Sequence, residues 1–217
     1  MSNDPSLAAL PGQAASGRAL AVMLAIVLLA LVVSGIGPYN WLTWGLEVFP
    51  VVIVVPLLLL TYRRFPLTTL LYILIGVHAL ILILGGHYTY ARVPLGFWLQ
   101  DLFEFSRNHY DRIGHLAQGF IPAIAVREVL IRNSPLKSGR WLPVITVAVC
   151  LAISAVYEFV EWWTAIGAGV AAEDFLATQG DIWDTQWDMF LATCGAVLAL
   201  LLLARVHDRA LARLLGR

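Results

Sequence analysis

The sequence predicts an all-α membrane protein, a polytopic bundle of about six transmembrane helices. Of its 217 residues, 60% are hydrophobic and only 13% are charged, whereas about 25% of the residues in soluble domains are charged. The apolar residues also fall into long runs, and a helix needs about 20 of them to cross roughly 30 Å of hydrocarbon. The bilayer is therefore the solvent in which this chain folds.

Six runs meet or nearly meet this length, and together they define a predicted transmembrane domain over residues 19–206. The second run contains Pro50 and Pro56, which remove backbone donors and are expected to kink the helix. The predicted helices are Ala19–Ile36, Trp41–Leu60, Leu67–Leu84, Ile113–Ile131, Trp141–Trp163 and Gln186–Ala204.

The segments outside the six runs are polar or amphipathic. Residues 1–18, rich in Ser, Gly, Pro and Ala, are predicted to form a disordered cytoplasmic tail. Residues 207–217 are predicted to form a basic cytoplasmic tail in which His207 is solvated. Between the third and fourth runs, residues 95–105 mix aromatic and acidic side chains, which indicates a short interfacial helix. The apolar core of the first run exceeds the 7–15 residues usual in signal peptides, so we expect it to be retained.

Charge between the runs predicts the orientation of the chain. Eleven of the 14 Lys and Arg residues lie on one side of the predicted membrane, and only Arg92, Arg107 and Arg112 lie on the other. Because basic loops stay in the cytoplasm, both termini are predicted to be cytoplasmic in a bacterial inner membrane. The formal net charge is zero, so a nucleic-acid partner is not expected. The expected partner is the lipid bilayer.

Polar side chains accumulate at the predicted outer ends of four helices. Asp111 and His115 are spaced i,i+4 and Glu158 and Glu161 i,i+3, so each pair shares a helix face. Ionisable residues within a membrane are costly and commonly mark functional sites. The candidates are His87, Tyr88, His109, Asp111, Arg112, His115, Glu158, Glu161, Asp181, Asp184 and Asp188.

Three interpretations of these residues remain open. They could form a structural network with the three outer Arg residues as counter-charges, a divalent-metal site, or a site of protonated carboxyl groups. For a metal, Asp111, His115, Glu158, Asp184 and Asp188 are the predicted ligands. His with carboxylate suits Zn²⁺, Mn²⁺ or Fe²⁺, and an all-oxygen subset suits Ca²⁺ or Mg²⁺. Glu161 or His109 is then the predicted catalytic base. The predicted other polar residues of the site are His87, Tyr88, Arg112 and Asp181.

Three smaller predictions concern helix faces. His78, alone in the third run, is predicted to be a hydrogen-bonded core histidine. Ala192 and Ala196 form a small-residue face that should pack against another helix. Four tryptophans are predicted to lie in an interfacial belt, namely Trp162, Trp163, Trp183 and Trp187.

Four stretches resemble the YjdF family of bacterial inner membrane proteins, which is classed as a domain of unknown function. They read GHYTY at 86–90, NHYDRIGH at 108–115, YEFVEWW at 157–163 and GDIWDT at 180–185. The resemblance covers nearly the whole chain after residue 18. It implies a multi-pass inner membrane protein and brings no particular activity.

A more distant likeness links the same residues to VanZ-like membrane proteins. Asp111-Arg112 with His115 resembles their Asp-(Lys/Arg)-x-x-His element, Glu158 the start of Glu-x-x-Gln, and Asp188 with Gly195 the element Asp-x-x-x-Asn-x-x-Gly. This chain departs from the pattern at three positions: Glu161 stands where Gln is usual, Ala192 where Asn is usual and Ile182 where Arg is usual. With the additional acids Asp181 and Asp184, the departures make the site more negative.

Our leading hypothesis is a metal-assisted membrane enzyme that acts on a lipid or lipid-linked substrate at the outer face. Its alternatives are a transporter of protons, cations or a small solute, and a structural or partner-binding membrane protein.

Overall fold

The chain folds into an all-helical bundle. The computed structural model describes the backbone of residues 11–136, 139–168 and 173–216, and the side chains of 17–136, 139–167 and 175–216. The helices are α1 (Pro11–Ser34), α2 (Trp41–Thr61), α3 (Thr69–Tyr88), α4 (Pro94–Phe103), α5 (Tyr110–Asn133), α6 (Trp141–Ala168), α7 (Glu173–Leu176) and α8 (Asp184–Leu214), with a 3-10 turn at Tyr90–Arg92. This part of the chain contains no strand, so the predicted fold class is confirmed.

Within the described residues, five helices are long and apolar enough to cross a membrane. Their candidate spans are Gly17–Ser34, Trp41–Thr61, Thr69–Tyr88, Trp141–Gly167 and Asp184–Leu214. The remaining predicted run corresponds to α5, which has 24 residues and is therefore about 36 Å long. It is more polar than the others because it carries charged residues near both of its ends, beginning with Asp111 and Arg112 and closing with Arg127, Glu128 and Arg132. The polytopic bundle is confirmed.

Local sequence signals explain where several helices begin. The Asn40 side chain accepts hydrogen bonds from the backbone N–H groups of Leu42 and Thr43, which caps α2. Pro94 occupies the first turn of α4, where its missing N–H is not needed. The predicted short helix near 95–105 is α4, and it exposes Phe97, Trp98, Leu102 and Phe103 as an interfacial helix should.

Helices α5 and α8 approach each other very closely. A Cβ on Gly119 would collide with the backbone of Ala192, and one on Gly195 with the carbonyl of Leu116. Ala192 and Ala196 are fully buried, so the predicted small-residue face is confirmed. Small residues let helix backbones meet without a side chain between them, and this contact fixes how α5 and α8 are rotated relative to each other.

Helix α5 lies inside the bundle. It packs against α3, α6 and α8, whereas α1 and α2 pack against the other side of α3. Midway along α5, a cluster of fully buried residues fills the space between the four inner helices. We call it the apolar layer, and it consists of Leu71, Ala123, Ile124, Cys150, Ala196 and Ala199.

The predicted termini differ from the observed helices. Residues 1–10 of the predicted disordered tail lie outside the described residues, and α1 begins at Pro11. At the other end α8 continues to Leu214, through most of the segment predicted as a basic tail. His207 is fully buried, so the prediction that it is solvated is wrong. The four belt tryptophans are all exposed on the surface of the bundle.

Candidate functional site

Five helices bring polar residues to one end of the bundle. Helices α2, α5 and α8 begin there, and α3 and α6 end there. We call it the acidic end, and the opposite end the basic end. The group of buried and half-buried side chains just inside the acidic end is the acidic cluster, and it consists of Glu47, Asp111, His115, Glu158, Glu161 and Asp188.

His115 stands at the centre of this cluster. Its Nε2 lies 3.5 Å from Asp111 Oδ1, one turn earlier on α5, and 3.9 Å from Asp188 Oδ2 on α8. The three residues each offer a ligand atom within 4.8 Å of the others, and all three are buried. Asp188 is only 2% exposed. The close contact of α5 and α8 through Gly119 and Gly195 is what brings these side chains into range.

Helix α6 supplies a second set around the same histidine. His115, Glu158 and Glu161 also place one ligand atom each within 4.8 Å of one another. The i,i+3 spacing puts both glutamates on the inner face of α6. Thr185 at the start of α8 lies within hydrogen-bonding reach of Glu158. The five residues Asp111, His115, Glu158, Glu161 and Asp188, which come from three helices, therefore meet in one place.

Many polar atoms of the cluster have no partner. Asp111 Oδ2, His115 Nδ1, Glu158 Oε1 and Asp188 Oδ1 are buried without a hydrogen bond. Buried polar atoms are almost always hydrogen-bonded, because leaving one unpaired costs about 1–3 kcal/mol. Among the described residues, no Lys or Arg forms an ion pair with any member of the cluster. Within the described residues, the cluster therefore has fewer hydrogen-bond and ion-pair partners than its buried polar atoms require.

The arginines of the acidic end neutralise a separate pair of acids. Arg107 lies 2.7 Å from Asp184 Oδ1, and Arg112 lies 2.7 Å from Asp181 Oδ2. Arg107 also donates to the carbonyl of Thr178, and Arg112 stacks over the ring of Trp187. These contacts tie the segment before α8 to the start of α5 and form a rim over the cluster. Asp184, predicted as a ligand, belongs to this rim and to neither ligand set.

Three other candidate residues lie apart from the cluster. His87 Nδ1 is 2.9 Å from the backbone oxygen of Ser34, and its ring packs edge-on against Tyr88. Tyr88 is 37% exposed. His109 precedes α5 and packs against Phe105. Partial burial, followed by Arg112 and Arg107, lowers the pKa of His109, so its imidazole is neutral at pH 7.

Sequence reasoning missed Glu47, which α2 contributes to the cluster. It is 5% exposed and borders the same cavity as Asp111, His115 and Glu161. Gly86 on α3 faces the Glu47 Cβ, which lets α2 approach. The signal was available, because Glu47 is the one charged residue between Trp41 and Thr61 and an ionisable residue inside a span is a site candidate by itself.

Two tyrosines complete the wall of the cluster. Tyr90 lies beside Glu47, and Tyr157 lies near Glu47, Glu161 and Asp111. Burial, reinforced by Glu47, raises the pKa of the Tyr90 phenol well above its ordinary value. Its hydroxyl therefore keeps its proton and can donate a hydrogen bond at any physiological pH.

A cavity of about 400 Å³ opens beneath the cluster, between α2 and α3 on one side and α5 and α6 on the other. His78 and Gln118 line it. His78 Nε2 and Gln118 Oε1 are buried without a partner. The Nε2 atom that faces the cavity thus lacks the hydrogen bond expected of a core histidine.

The basic end holds a second buried polar group, which the sequence did not reveal. Glu128 is fully buried, and its oxygens accept from the Thr68 hydroxyl at 2.8 Å and from Arg132 at 2.8 Å, with His207 Nε2 at 2.9 Å. Arg127 joins it, with one nitrogen 2.7 Å from His207 Nδ1 and another 2.6 Å from Asp208. We call these six residues the basic-end network. Each of its buried charges has a partner.

The fold and the site define a multi-pass membrane protein with a buried acidic cluster above an internal cavity. Residues 19–209 match the family described as "Predicted membrane protein (DUF2238)", and the chain belongs to that family. It is 52% identical over 185 residues to the inner membrane protein YjdF of Escherichia coli (strain K12), a match that covers 85% of this chain and 88% of the relative. No solved structure matches the chain.

Proposed function

We propose that this protein is a metal-assisted enzyme of the bacterial inner membrane, and that the acidic cluster holds a divalent cation. The observation that carries the proposal is the composition of the cluster, in which four buried carboxyl groups and the half-buried Glu161 surround one imidazole, and no Lys or Arg among the described residues pairs with them. Like charges gathered at low dielectric repel strongly unless protons or a cation neutralise them. A divalent ion supplies that charge and satisfies the unpartnered oxygens.

The donor set favours particular metals. One histidine nitrogen with carboxylate oxygens suits Zn²⁺, Mn²⁺ or Fe²⁺ better than Ca²⁺ or Mg²⁺, which prefer oxygen alone. Asp111, His115 and Asp188 are the ligands that we assign, since their ligand atoms lie within 4.8 Å of one another and α5 and α8 hold them rigidly. A few open coordination positions would remain for water and substrate, as in catalytic rather than structural sites.

The remaining residues supply proton transfer. A bound divalent ion would polarise a substrate oxygen and lower the pKa of water. Glu161 and Glu158 stand on the adjacent helix face, so one of them can accept a proton from an attacking water and return it to the leaving group. Tyr90 and Glu47 face this pair across the cavity, and the protonated Tyr90 hydroxyl can donate to an oxygen that gains negative charge.

The depth of the cluster in the membrane supports a lipid or lipid-linked molecule as the proposed substrate. The proposed orientation puts both termini in the cytoplasm, because basic residues collect at the basic end. The acidic cluster then lies just below the outer headgroups, and exposed aromatic residues of α4 and the belt tryptophans surround that level. A substrate headgroup can reach the cluster from the side while its chain stays in an apolar environment.

Transport is the weaker alternative, and the apolar layer is the reason. A path through the bundle would need polar groups between the acidic cluster and the basic-end network. In the part of the chain that the structure describes, the deep part of the cavity is lined by apolar residues, and fully buried apolar side chains of α3, α5, α6 and α8 pack beside it. A partner-binding role is also weaker, because the unpartnered atoms of the cluster are buried rather than presented on a surface.

Elemental analysis of detergent-purified protein tests the proposal. Wild-type protein should retain close to one equivalent of Zn, Mn or Fe, and His115→Ala should lower metal affinity by more than about tenfold, since a side chain that binds the metal directly is lost. His87→Ala is the matched control, because His87 bonds to a backbone oxygen away from the cluster. Metal at trace level in the wild type, or equal metal in both variants, would contradict the proposal.

A further inference from the structure

The cavity below the acidic cluster is long and changes character along its length. Its lining follows α5 from Asp111 to Ala125, which is about 21 Å at 1.5 Å per residue. The end near the cluster carries the charged side chains, and the rest is lined by aliphatic residues. We call this second part the apolar arm, and its walls include Val51, Val54, Val55, Ile121, Pro122 and Ile153.

Two neutral polar groups lie between the acidic cluster and the apolar arm. Gln118 is three residues beyond His115 on α5, so it lies about 4.5 Å deeper. His78 faces the same space from α3, and both residues have an unpartnered buried atom. An imidazole and a carboxamide at this depth can hydrogen-bond a hydroxyl or carbonyl oxygen. The order along the cavity is therefore charged, neutral polar and apolar.

The bundle leaves a side entrance to this cavity. Helix α2 packs along α3 and touches α7, but it has no extended packing interface with α5 or α6, which form the opposite wall. Ile153 on α6 lines the cavity and is still 41% exposed. A chain can therefore enter from the lipid between α2 and α6 without crossing a packed helix interface.

We propose that the cavity binds one hydrocarbon chain of a single-chain amphiphile, with the chain in the apolar arm and the polar end at the acidic cluster. The volume of about 400 Å³ lies near the lower end of the roughly 300–1,000 Å³ found for small-molecule sites, which leaves room for one chain and not for two. An ester or hydroxyl next to the chain would meet His78 and Gln118. The choice of polar end rests on the proposed function, whereas occupation of the arm needs no metal.

Photolabelling in lipid nanodiscs tests this proposal. The probe is a monoacylglycerol with a diazirine near the end of its acyl chain, and a diacylglycerol with the same label is the comparison. The protein is used with chelator present, so that the outcome does not depend on metal or turnover. We expect the single-chain probe to label arm residues such as Val54 and Ile121. The two-chain probe should label only lipid-facing residues such as Ile53 and Val156, which are 49% and 58% exposed.

A pair of variants on α6 sharpens the test. Ile153→Trp places a large ring in the cavity wall and should lower arm labelling by about tenfold or more, because an overfilled space rejects added groups. Val156→Trp adds the same ring on the lipid-facing surface and should leave arm labelling unchanged. A second blocking variant, Val54→Trp, is paired with Ile53→Trp on α2, so that poor folding of one variant does not decide the result.

Two results would overturn the proposal. If the single-chain probe labels only lipid-facing residues, the arm does not hold a chain, and the metal site could still exist. If the two-chain probe labels the arm equally well, the cavity does not select single-chain amphiphiles. Labelling of the arm in a wild-type protein that is purified with only trace metal would instead contradict the proposed metal-assisted catalysis and leave the chain-binding proposal standing.

Discussion

The acidic cluster and the basic-end network are both buried groups of charged residues, and α5 and α8 contribute to each. In the basic-end network, Glu128 accepts from Thr68 and Arg132 and contacts His207. In the acidic cluster, the His115 imidazole is the one nitrogen-bearing side chain that approaches Asp111 and Asp188 among the described residues, and several oxygens have no partner. The same helices thus carry one group that is complete and one that is not.

The difference separates a structural role from a binding role. A buried ion network stabilises a fold only when its charges are paired and its remaining lone pairs are satisfied. The basic-end network meets that condition, and it joins the start of α3 to α5 and α8. The acidic cluster does not meet it, and this difference supports the proposed cation at that site.

Removing the carboxylate at the centre of the basic-end network should have the largest effect on stability. Glu128→Ala leaves Arg132 and His207 buried without an anion and should cost about 3–5 kcal/mol. Equilibrium unfolding of detergent-solubilised protein measures this. Asp101→Ala is the control, because Asp101 is exposed on the surface and belongs to neither group, and such surface substitutions usually change stability by no more than about 0.5 kcal/mol. A loss under about 1 kcal/mol for Glu128→Ala would mean that the network is not structural.

Metal removal should affect the acidic cluster alone. A cation present at about 100 times its Kd stabilises the folded state by roughly 2.7 kcal/mol, so a chelator should lower the thermal midpoint of the wild type. The chelator should have no effect on Asp188→Asn, which lacks an assigned ligand. Equal shifts in the two proteins would show that the chelated ion binds elsewhere.

The shared helix contact should couple the two regions. Gly119→Ala drives a methyl group into the backbone of Ala192 and should cost about 1–3 kcal/mol. Because α5 and α8 supply both groups, the variant should also weaken metal binding. Gly45→Ala, where an added Cβ meets nothing within 4 Å, is the control. A destabilised Gly119→Ala protein with unchanged metal affinity would show that the cluster tolerates a shift between α5 and α8.

Removing a charge from the acidic cluster should change stability by a smaller amount than the preceding variants do, and it should raise stability rather than lower it. In metal-free protein, Asp188→Asn keeps the shape of the side chain and removes one of several repelling carboxyl groups. We expect stability to rise by on the order of 1 kcal/mol, since a buried unpaired charge is unfavourable. Unfolding of the chelated wild type and variant measures the difference. A loss comparable to that of Glu128→Ala would place Asp188 in a structural network.

The smallest expected effect is the pH dependence contributed by His109. Its pKa is lowered in the folded state, so the unfolded chain binds a proton more readily. The stability it contributes is therefore present above the unfolded pKa of about 6.5 and is lost as the pH falls below that value. His109→Gln should flatten the unfolding profile slightly in this range. A profile that becomes steeper would contradict the assigned direction.

The fold was largely predictable, because long apolar runs permit little except helices in a bilayer. All six predicted runs correspond to helices, although α1 begins eight residues earlier than predicted and α8 ends ten residues later, and the short helix near residue 95 is present. The site was predictable in part. Because successive spans cross the membrane in opposite directions, the sequence predicted that one end of the bundle holds Asp111, His115, Glu158, Glu161 and Asp188. These residues do meet there.

The remaining features depended on helix rotation and on pairing across the bundle. His207 looked solvated among neighbouring arginines, yet α8 turns it inward against Glu128. Asp184 and Asp188 share a helix face, but Arg107 binds the first and leaves the second for the cluster. Neither the burial of His207 nor the pairing of Asp184 can be predicted from local spacing. In both cases the residue's environment depends on a partner side chain from another part of the bundle.

The sequence by itself determined that this chain spans a membrane, where its helices lie and which end of the bundle is acidic, since each of these follows from hydropathy and charge along one dimension. Only the tertiary structure decided that Glu47 joins the cluster, that the arginines form a rim, and that an apolar arm lies below. Those features arise where α2, α3, α5 and α6 face one another across a cavity. How the helices are oriented toward one another is set by close contacts such as the one between Gly119 and Ala192. Such contacts fix the rotation of each helix about its own axis and so bring together residues that are distant in sequence.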